Sequence, residues 1–170
     1  MSRLKAQFKY ASLKESEAKV PNTRKANESD SKDIFDRRND ELTRQMSHTT
    51  DLVEWDGHSG WFASSLTNPN RLLVMCENEN TNEKVAIVRF DAEGERALIS
   101  INLSPKMRGQ RKTKGCLRDA ISFFKTIYSN VRFIDAEIKS INITSQQSFL
   151  DVGFVFVKED ADVSFYEHVV

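Results

Sequence analysis

Residues 104–118 carry six lysines and arginines and no acidic residue, in a 170-residue chain whose 25 Lys+Arg balance its 25 Asp+Glu. With no net charge to steer a polyanion from afar, a local excess of this kind acts as a set of counterions at close range. Within it the run Ser104-Pro105-Lys106-Met107-Arg108-Gly109-Gln110-Arg111-Lys112-Thr113-Lys114-Gly115 follows an alternating apolar segment and precedes an amphipathic one. A helix start after a strand presents free backbone N–H groups and the positive end of the helix dipole, a ready phosphate site. Gly109 and Gly115 are six apart and Lys114 precedes the second, so the spacing is not that of a Walker A loop, and no GxGxxG is present. The structural alternative is a Pro-capped turn with a solvated, basic helix start.

The segment before this loop alternates Ala97, Ile99, Ile101 and Leu103 with Leu98, Ser100, Asn102 and Ser104, so one face is core and the other polar. Ser100 and Asn102 are therefore candidates to line a reaction cleft. No carboxylate of this segment shares their face, and Asp91, Glu93 and Glu95 are assigned to the preceding turn. Cys76 and Cys116 are the only cysteines, with no CxxC and no His pair at ligand spacing, which points to neither a disulfide framework nor a metal site. Cys116 reads as core packing rather than as a nucleophile, and His48 and His168 receive the same structural reading. The expected setting is a reducing cytoplasm, since the polar N-terminal stretch has no signal-peptide pattern and no run approaches the ~20 apolar residues of a membrane span.

These residues need a scaffold of alternating strands and helices. Polar residues 27–30 are suited to starting a helix that runs through Ile34, Phe35 and Leu42, and a second helix is expected over 54–66, where Trp55, Trp61, Phe62 and Leu66 recur at helical spacing. Residues 71–77, 85–90 and 96–103 read as three strands joined by polar turns, an antiparallel meander. An amphipathic helix over 115–127, a strand over 133–138, a short helix over 144–150 and strands over 153–157 and 163–169 complete one domain spanning 20–170, with residues 1–19 as an N-terminal appendage. The fold class is α/β (α+β), with a mixed, mostly antiparallel sheet of six or seven strands.

A strand, then Pro105-Lys106-Met107-Arg108-Gly109-Gln110, an amphipathic helix, another strand, and Asn142 with Ser145, Phe149 and Gly153-Phe154, resembles the Gcn5-related N-acetyltransferase (GNAT) family from about residue 23 to 170. The resemblance implies a V-shaped splay of the sheet where residues 101–103 leave their neighbour, and acetyl-CoA as co-substrate with no metal. In that family an Arg/Gln-x-x-Gly-x-Gly/Ala loop binds the pyrophosphate of acetyl-CoA. Arg108 falls on its first position, Arg111 on the middle Gly and Thr113 on the last, so two of three positions depart. The implied cofactor set is Ile101 and Leu103 by their backbone, Arg108, Gly109, Gln110, Arg111, Lys112 and Thr113 in the loop, and Asn142 and Phe149 along the pantetheine arm. For Arg111 to donate its backbone N–H there, a negative φ is expected. Phe149 stands where many relatives have a general-acid Tyr, and Tyr128 and Tyr166 are the possible substitutes.

Residues 37–40, 58–62, 68–71 and 89–91 resemble a narrower branch that acetylates nucleotide-linked amino sugars on the way to pseudaminic or legionaminic acid. The resemblance makes Arg38, Asn39, His58 and Arg89 candidates for gripping phosphates and hydroxyls of the acceptor. The implied activity is transfer of acetyl from acetyl-CoA to a primary amine of a small molecule by a monomer or homodimer. The alternative is a catalytically silent coenzyme-A-binding or sensing module, given Phe149 and the missing base. A nucleic-acid-binding or protein-binding domain using the residue 111–114 cluster is disfavoured by the zero net charge and the lack of a second basic stripe.

Overall fold

The computed structural model describes residues 22–170, so the appendage expected over 1–19 lies outside the described residues. In chain order the elements are β1 (Asn22–Lys25), a 3-10 turn (Glu28–Asp30), α1 (Ser31–Asn39), α2 (Glu41–Met46), α3 (Trp55–Thr67), β2 (Arg71–Glu77), β3 (Lys84–Glu93) and β4 (Arg96–Leu103). A second 3-10 turn (Pro105–Met107) follows, then α4 (Thr113–Ile127), β5 (Phe133–Lys139), α5 (Ile143–Leu150), β6 (Val155–Asp160) and β7 (Val163–Val169). Among the described residues no helix is long and apolar enough to cross a membrane.

The strands form one seven-stranded sheet in the order β1-β2-β3-β4-β5-β7-β6, in which only β4 and β5 pair in parallel. Helix α4 buries Cys116, Leu117, Ala120, Ile121 and Phe124 against one face. There they meet Leu72, Val74, Val88, Phe90, Ala97 and Ile99. On the opposite face Ile34 of α1 and Phe62 of α3 pack on Leu73, Met75 and Ile87. This two-sided burial explains why β2 and β3 read as nearly continuous apolar runs rather than as alternating ones.

The strand expected over 153–157 runs Val155–Asp160, and three further boundaries differ from the sequence expectation, each for a local reason. The single helix expected through Leu42 is two: Asp40 leaves helical geometry (φ −58, ψ 134) and accepts from the Thr43 N–H, ending α1 and capping α2. Residues 22–25, ahead of the first element expected from the sequence, form β1, an edge strand pinned to β2 and by a buried ionic knot. Asp30 in that knot has no exposure and is held by Arg24, Lys84 and the Asn27 N–H. Strand β3 continues to Glu93, so Asp91 lies in the sheet rather than in a turn.

Candidate functional site

Pairing between β4 and β5 covers only Arg96–Phe133 through Ile99–Ala136, and beyond those four pairs the strands part. Strand β4 stays on β3 as far as Leu103–Ala86, and the Ser104 N–H still reaches the Val85 carbonyl (2.8 Å). Backbone groups alternate in direction along a strand. With Ser104 aimed at β3, the N–H and C=O of Ile101 and Leu103 aim the other way, into the V left by β5.

At the end of β4 the loop over residues 104–112 turns into α4. Gly109 sits at φ +74 and Arg111 at φ +55. The expected negative φ at Arg111 is thus corrected: the position is left-handed, as a glycine would be. Lys112 follows in right-handed geometry (φ −80, ψ −22). Such alternation curls successive N–H groups into an anion-binding nest. The Arg111, Lys112 and Thr113 amides make no backbone hydrogen bond within the loop or across the helix start. The nest therefore opens at the positive end of a 15-residue helix. A non-Gly residue in this conformation costs roughly 1–2 kcal/mol. We expect Arg111→Gly to raise stability by about 1 kcal/mol, read as an upward shift of the melting midpoint. An unchanged or lowered midpoint would mean that the Arg111 side chain stabilises the loop.

Arg108 is not free for phosphate. Its guanidinium is paired with Asp40 and donates to Thr43 Oγ1 (3.0 Å). Those contacts push the Asp40 carboxyl down, chiefly through the Arg108 hydrogen bond. Lys139, at the far end of β5, donates to the Gln45 carbonyl (3.1 Å). Helix α2 is thereby clipped to the ends of both arms of the V. Gln110 turns back onto the Lys106 carbonyl (2.8 Å).

The expected acceptor ligands are largely committed elsewhere. The Asn39 side-chain amide bonds both the N–H (2.9 Å) and the carbonyl (2.8 Å) of Val53, closing the 47–53 loop. His58 is buried in a cluster with Phe35, Trp55, Trp61 and Phe62, its Nε2 2.8 Å from the Ser31 carbonyl, and burial pushes its pKa down. It is a core residue and faces no open cleft. Arg89 lies on the Ser100 face of β3 with Nε 3.0 Å from Asp91, whose other oxygen meets Arg71 at 2.5 Å. Arg38 donates to the Thr49 carbonyl and Arg44 to the Thr50 carbonyl, both at 2.9 Å. Burial, then the neighbouring Arg44 charge, lowers the Arg38 pKa.

Nor do Asn142 and Phe149 line an open channel. The Asn142 side chain caps α5 by accepting from the Ser145 N–H, and Phe149 is buried in the main core, edge-on to Phe154. Neither substitute tyrosine has a free hydroxyl: Tyr166 donates to Gln146 Oε1 (2.9 Å), and Tyr128 to the Pro69 carbonyl (2.7 Å). Cys116 is buried, and the Cys76 thiol points at its carbonyl (3.8 Å), so neither is an accessible nucleophile.

Sequence reasoning missed the carboxylates of this face, because they come from strands whose register it did not supply. Asp135 pairs with Leu98, and Glu167 with Asp135. They line a cleft of about 370 Å³ with Arg96, Glu137, Val157, Lys158 and Phe165. Arg96 clamps Asp135 (2.8 and 2.5 Å) and Glu167 (2.5 Å). Glu137 stands one residue past the last β4–β5 pair, opposite Ser100 across the opening, with no side-chain partner among the described residues.

No family model and no curated protein matches the sequence. Solved structures do match by shape. Spermidine N-acetyltransferase from Vibrio cholerae, solved with CoA and spermine, superposes with a TM-score of 0.78 at 14% identity, covering 87% of this chain and 94% of that one. A domain from Methanocaldococcus jannaschii gives 0.75 at 20% identity, over 88% and 97% of the two chains. An acetyltransferase of the GNAT family from Streptococcus pneumoniae gives 0.70 at 12% identity, over 88% and 98%. The chain has the GNAT acyl-CoA N-acyltransferase fold.

Proposed function

We propose that this chain is an N-acetyltransferase that moves the acetyl group of acetyl-CoA to a primary amine of a small molecule. One observation carries the reading: a strand that parts from its parallel neighbour after four pairs leads straight into a basic N–H nest at a helix start. The residues fit the co-substrate. The amides of Arg111, Lys112 and Thr113 would take its phosphates, with Lys106 and Arg111 adding charge. The outward-facing backbone of Ile101 and Leu103 would hold the extended pantetheine arm as a strand holds a strand. Acetyl-CoA supplies an acyl group activated as a thioester. The protein's share is to hold that group in the V, to aim a backbone N–H at the oxygen where negative charge develops, and to bring the amine in over Ser100 and Asn102.

Calorimetric titration with coenzyme A tests this directly. Binding is expected, weakening as salt rises because the phosphate contacts are charged. Folded protein that gives no heat at millimolar coenzyme A would overturn the reading and leave a fold without its function.

A nucleotide-linked amino sugar is a finer reading of the acceptor. Arg38 and Arg44 support it: they stand close enough to repel, and a buried N–H of each has no hydrogen-bond partner among the described residues. Two like charges held together in this way favour an anionic group on the substrate. In a turnover screen the sugar nucleotide is expected to outrun the free amino sugar, polyamines and peptides. Arg44→Ala is expected to raise its KM with coenzyme A affinity unchanged. Turnover confined to polyamines or peptides would refute this acceptor.

A further inference from the structure

We infer that Glu137 is the residue that takes the proton from the acceptor's ammonium group, an assignment that rests on the acetyl-transfer reading above. Ile99 and Ala136 are the last paired residues of β4 and β5. Glu137 is therefore the first β5 side chain that the opening releases, and strand alternation puts it on the face of Ser100. It is exposed to the cleft at the point where an amine would meet an acyl group lying in the V.

Of the carboxylates nearest the opening, Asp135 and Glu167 are neutralised by Arg96, and Asp91 by Arg71 and Arg89, while Glu93, opposite Arg96, and Asp160, opposite Val163 on the edge strand, share the face farther from Ser100. The remaining charged neighbours are also engaged. Lys139 is bonded to the Gln45 carbonyl, and the Lys158 ammonium lies over the Phe165 ring, 4.9 Å from its centroid. Glu137 is the carboxylate beside Ser100 that has no side-chain partner among the described residues. Strand β4 carries none on this face, the tyrosine hydroxyls are occupied, and His58 is buried.

The chemistry balances with these groups. An alkylammonium gives one proton to the Glu137 carboxylate as an N–H bond breaks and an O–H bond forms. The freed nitrogen lone pair then forms the C–N bond at the thioester carbonyl carbon while the C–S bond breaks. The departing sulfur takes the second amine proton, and Glu137 returns its own to solvent. Ser100, facing Glu137 across the gap, is placed to orient the nitrogen.

The test compares wild type, Glu137→Gln and Glu137→Asp in three measurements: turnover of the acceptor found in the screen, its pH profile, and coenzyme A affinity by calorimetry. Positioned general bases contribute about 10²–10⁴-fold, and a loss in that range is expected for Glu137→Gln near neutral pH. Coenzyme A affinity should stay within twofold of wild type. The variant must wait for amine already deprotonated in water, so its kcat/KM should climb about tenfold per pH unit toward the amine's own pKa, where wild type is flat; the gap closes at high pH. Glu137→Asp, which keeps the carboxylate, should recover part of the loss. A Glu137→Gln enzyme within threefold of wild type, or one whose deficit is the same at every pH, overturns the assignment and leaves the acetyltransferase reading standing. A wild-type protein that binds no coenzyme A overturns both.

Discussion

Asp30→Ala is expected to destabilise the protein by about 3–5 kcal/mol, the loss typical when one partner of a buried ionic group is removed. Asp30 is wholly buried and accepts from Arg24 Nη1 (2.7 Å), Arg24 Nη2 (3.0 Å) and the Asn27 N–H (2.9 Å), with Lys84 Nζ also at 2.7 Å. Deleting the carboxylate strips Lys84 and the Asn27 amide of their partner and leaves Arg24 with Glu77 alone. Burial by itself pushes the Asp30 carboxyl up, but the hydrogen bonds from Arg24 and Lys84 and from the Asn27 N–H together pull it well below the usual carboxylate range. Because the folded pKa lies below the unfolded one, ~3.9 for an aspartate, this contribution is complete above that value and is lost as pH falls toward the folded pKa. Denaturant unfolding at pH 7 and at pH 3 checks both points. The gap between wild type and Asp30→Ala should narrow at the lower pH, and an equal gap at both would show that packing rather than charge holds the knot.

Phe124→Ala should cost a similar 3–5 kcal/mol by opening a cavity in the main core. Phe124 is fully buried, stacked at 4.3 Å between ring centroids on Phe90 of β3 and at 4.7 Å on Tyr128. Phe90 is also fully buried, so nothing flexible stands ready to fill the space. The effect should reach function through α4, since the helix that loses its anchor is the one whose first turn forms the N–H nest. Urea midpoints would report the stability change. A shift below 1 kcal/mol would mean that the core closes over the gap.

Much of the scaffold was legible because its signals are local. The meander of β2, β3 and β4, the amphipathic α4 and the loop between β4 and α4 each follow from period, turn residues and charge within one short window. The splay was foreseen by family resemblance, and the pairing of β4 with β5 locates it. What stayed illegible depends on register between distant segments. Glu137 is unremarkable in sequence, and only the pairing of Ile99 with Ala136 puts it across from Ser100. Arg108 matched a phosphate-binding position, but Asp40, 68 residues away in sequence, takes its guanidinium. Asn39 and His58 have side chains suited to a ligand, yet they serve Val53 and Ser31. Polar residue type shows what a group can bind; the tertiary fold decides whether its bonding capacity is already spent.

The four-pair seam between β4 and β5 makes the sheet a lever with its fulcrum at one end. Residues 100–103 extend about 13 Å beyond it at the usual ~3.3 Å per residue. A rotation of about 5° between the two halves of the sheet would therefore open or close the mouth by roughly 1 Å, with little change in packing at the fulcrum. On the Ser100 face that angle is braced by α2, held to one arm through Asp40 and Thr43 on Arg108 and to the other through Gln45 on Lys139. Gape, and with it the thickness of acyl chain the mouth admits, is set by these polar fastenings on one face together with the core on the other, where Ile138 and Phe149 share a cluster with Cys116 and Leu117.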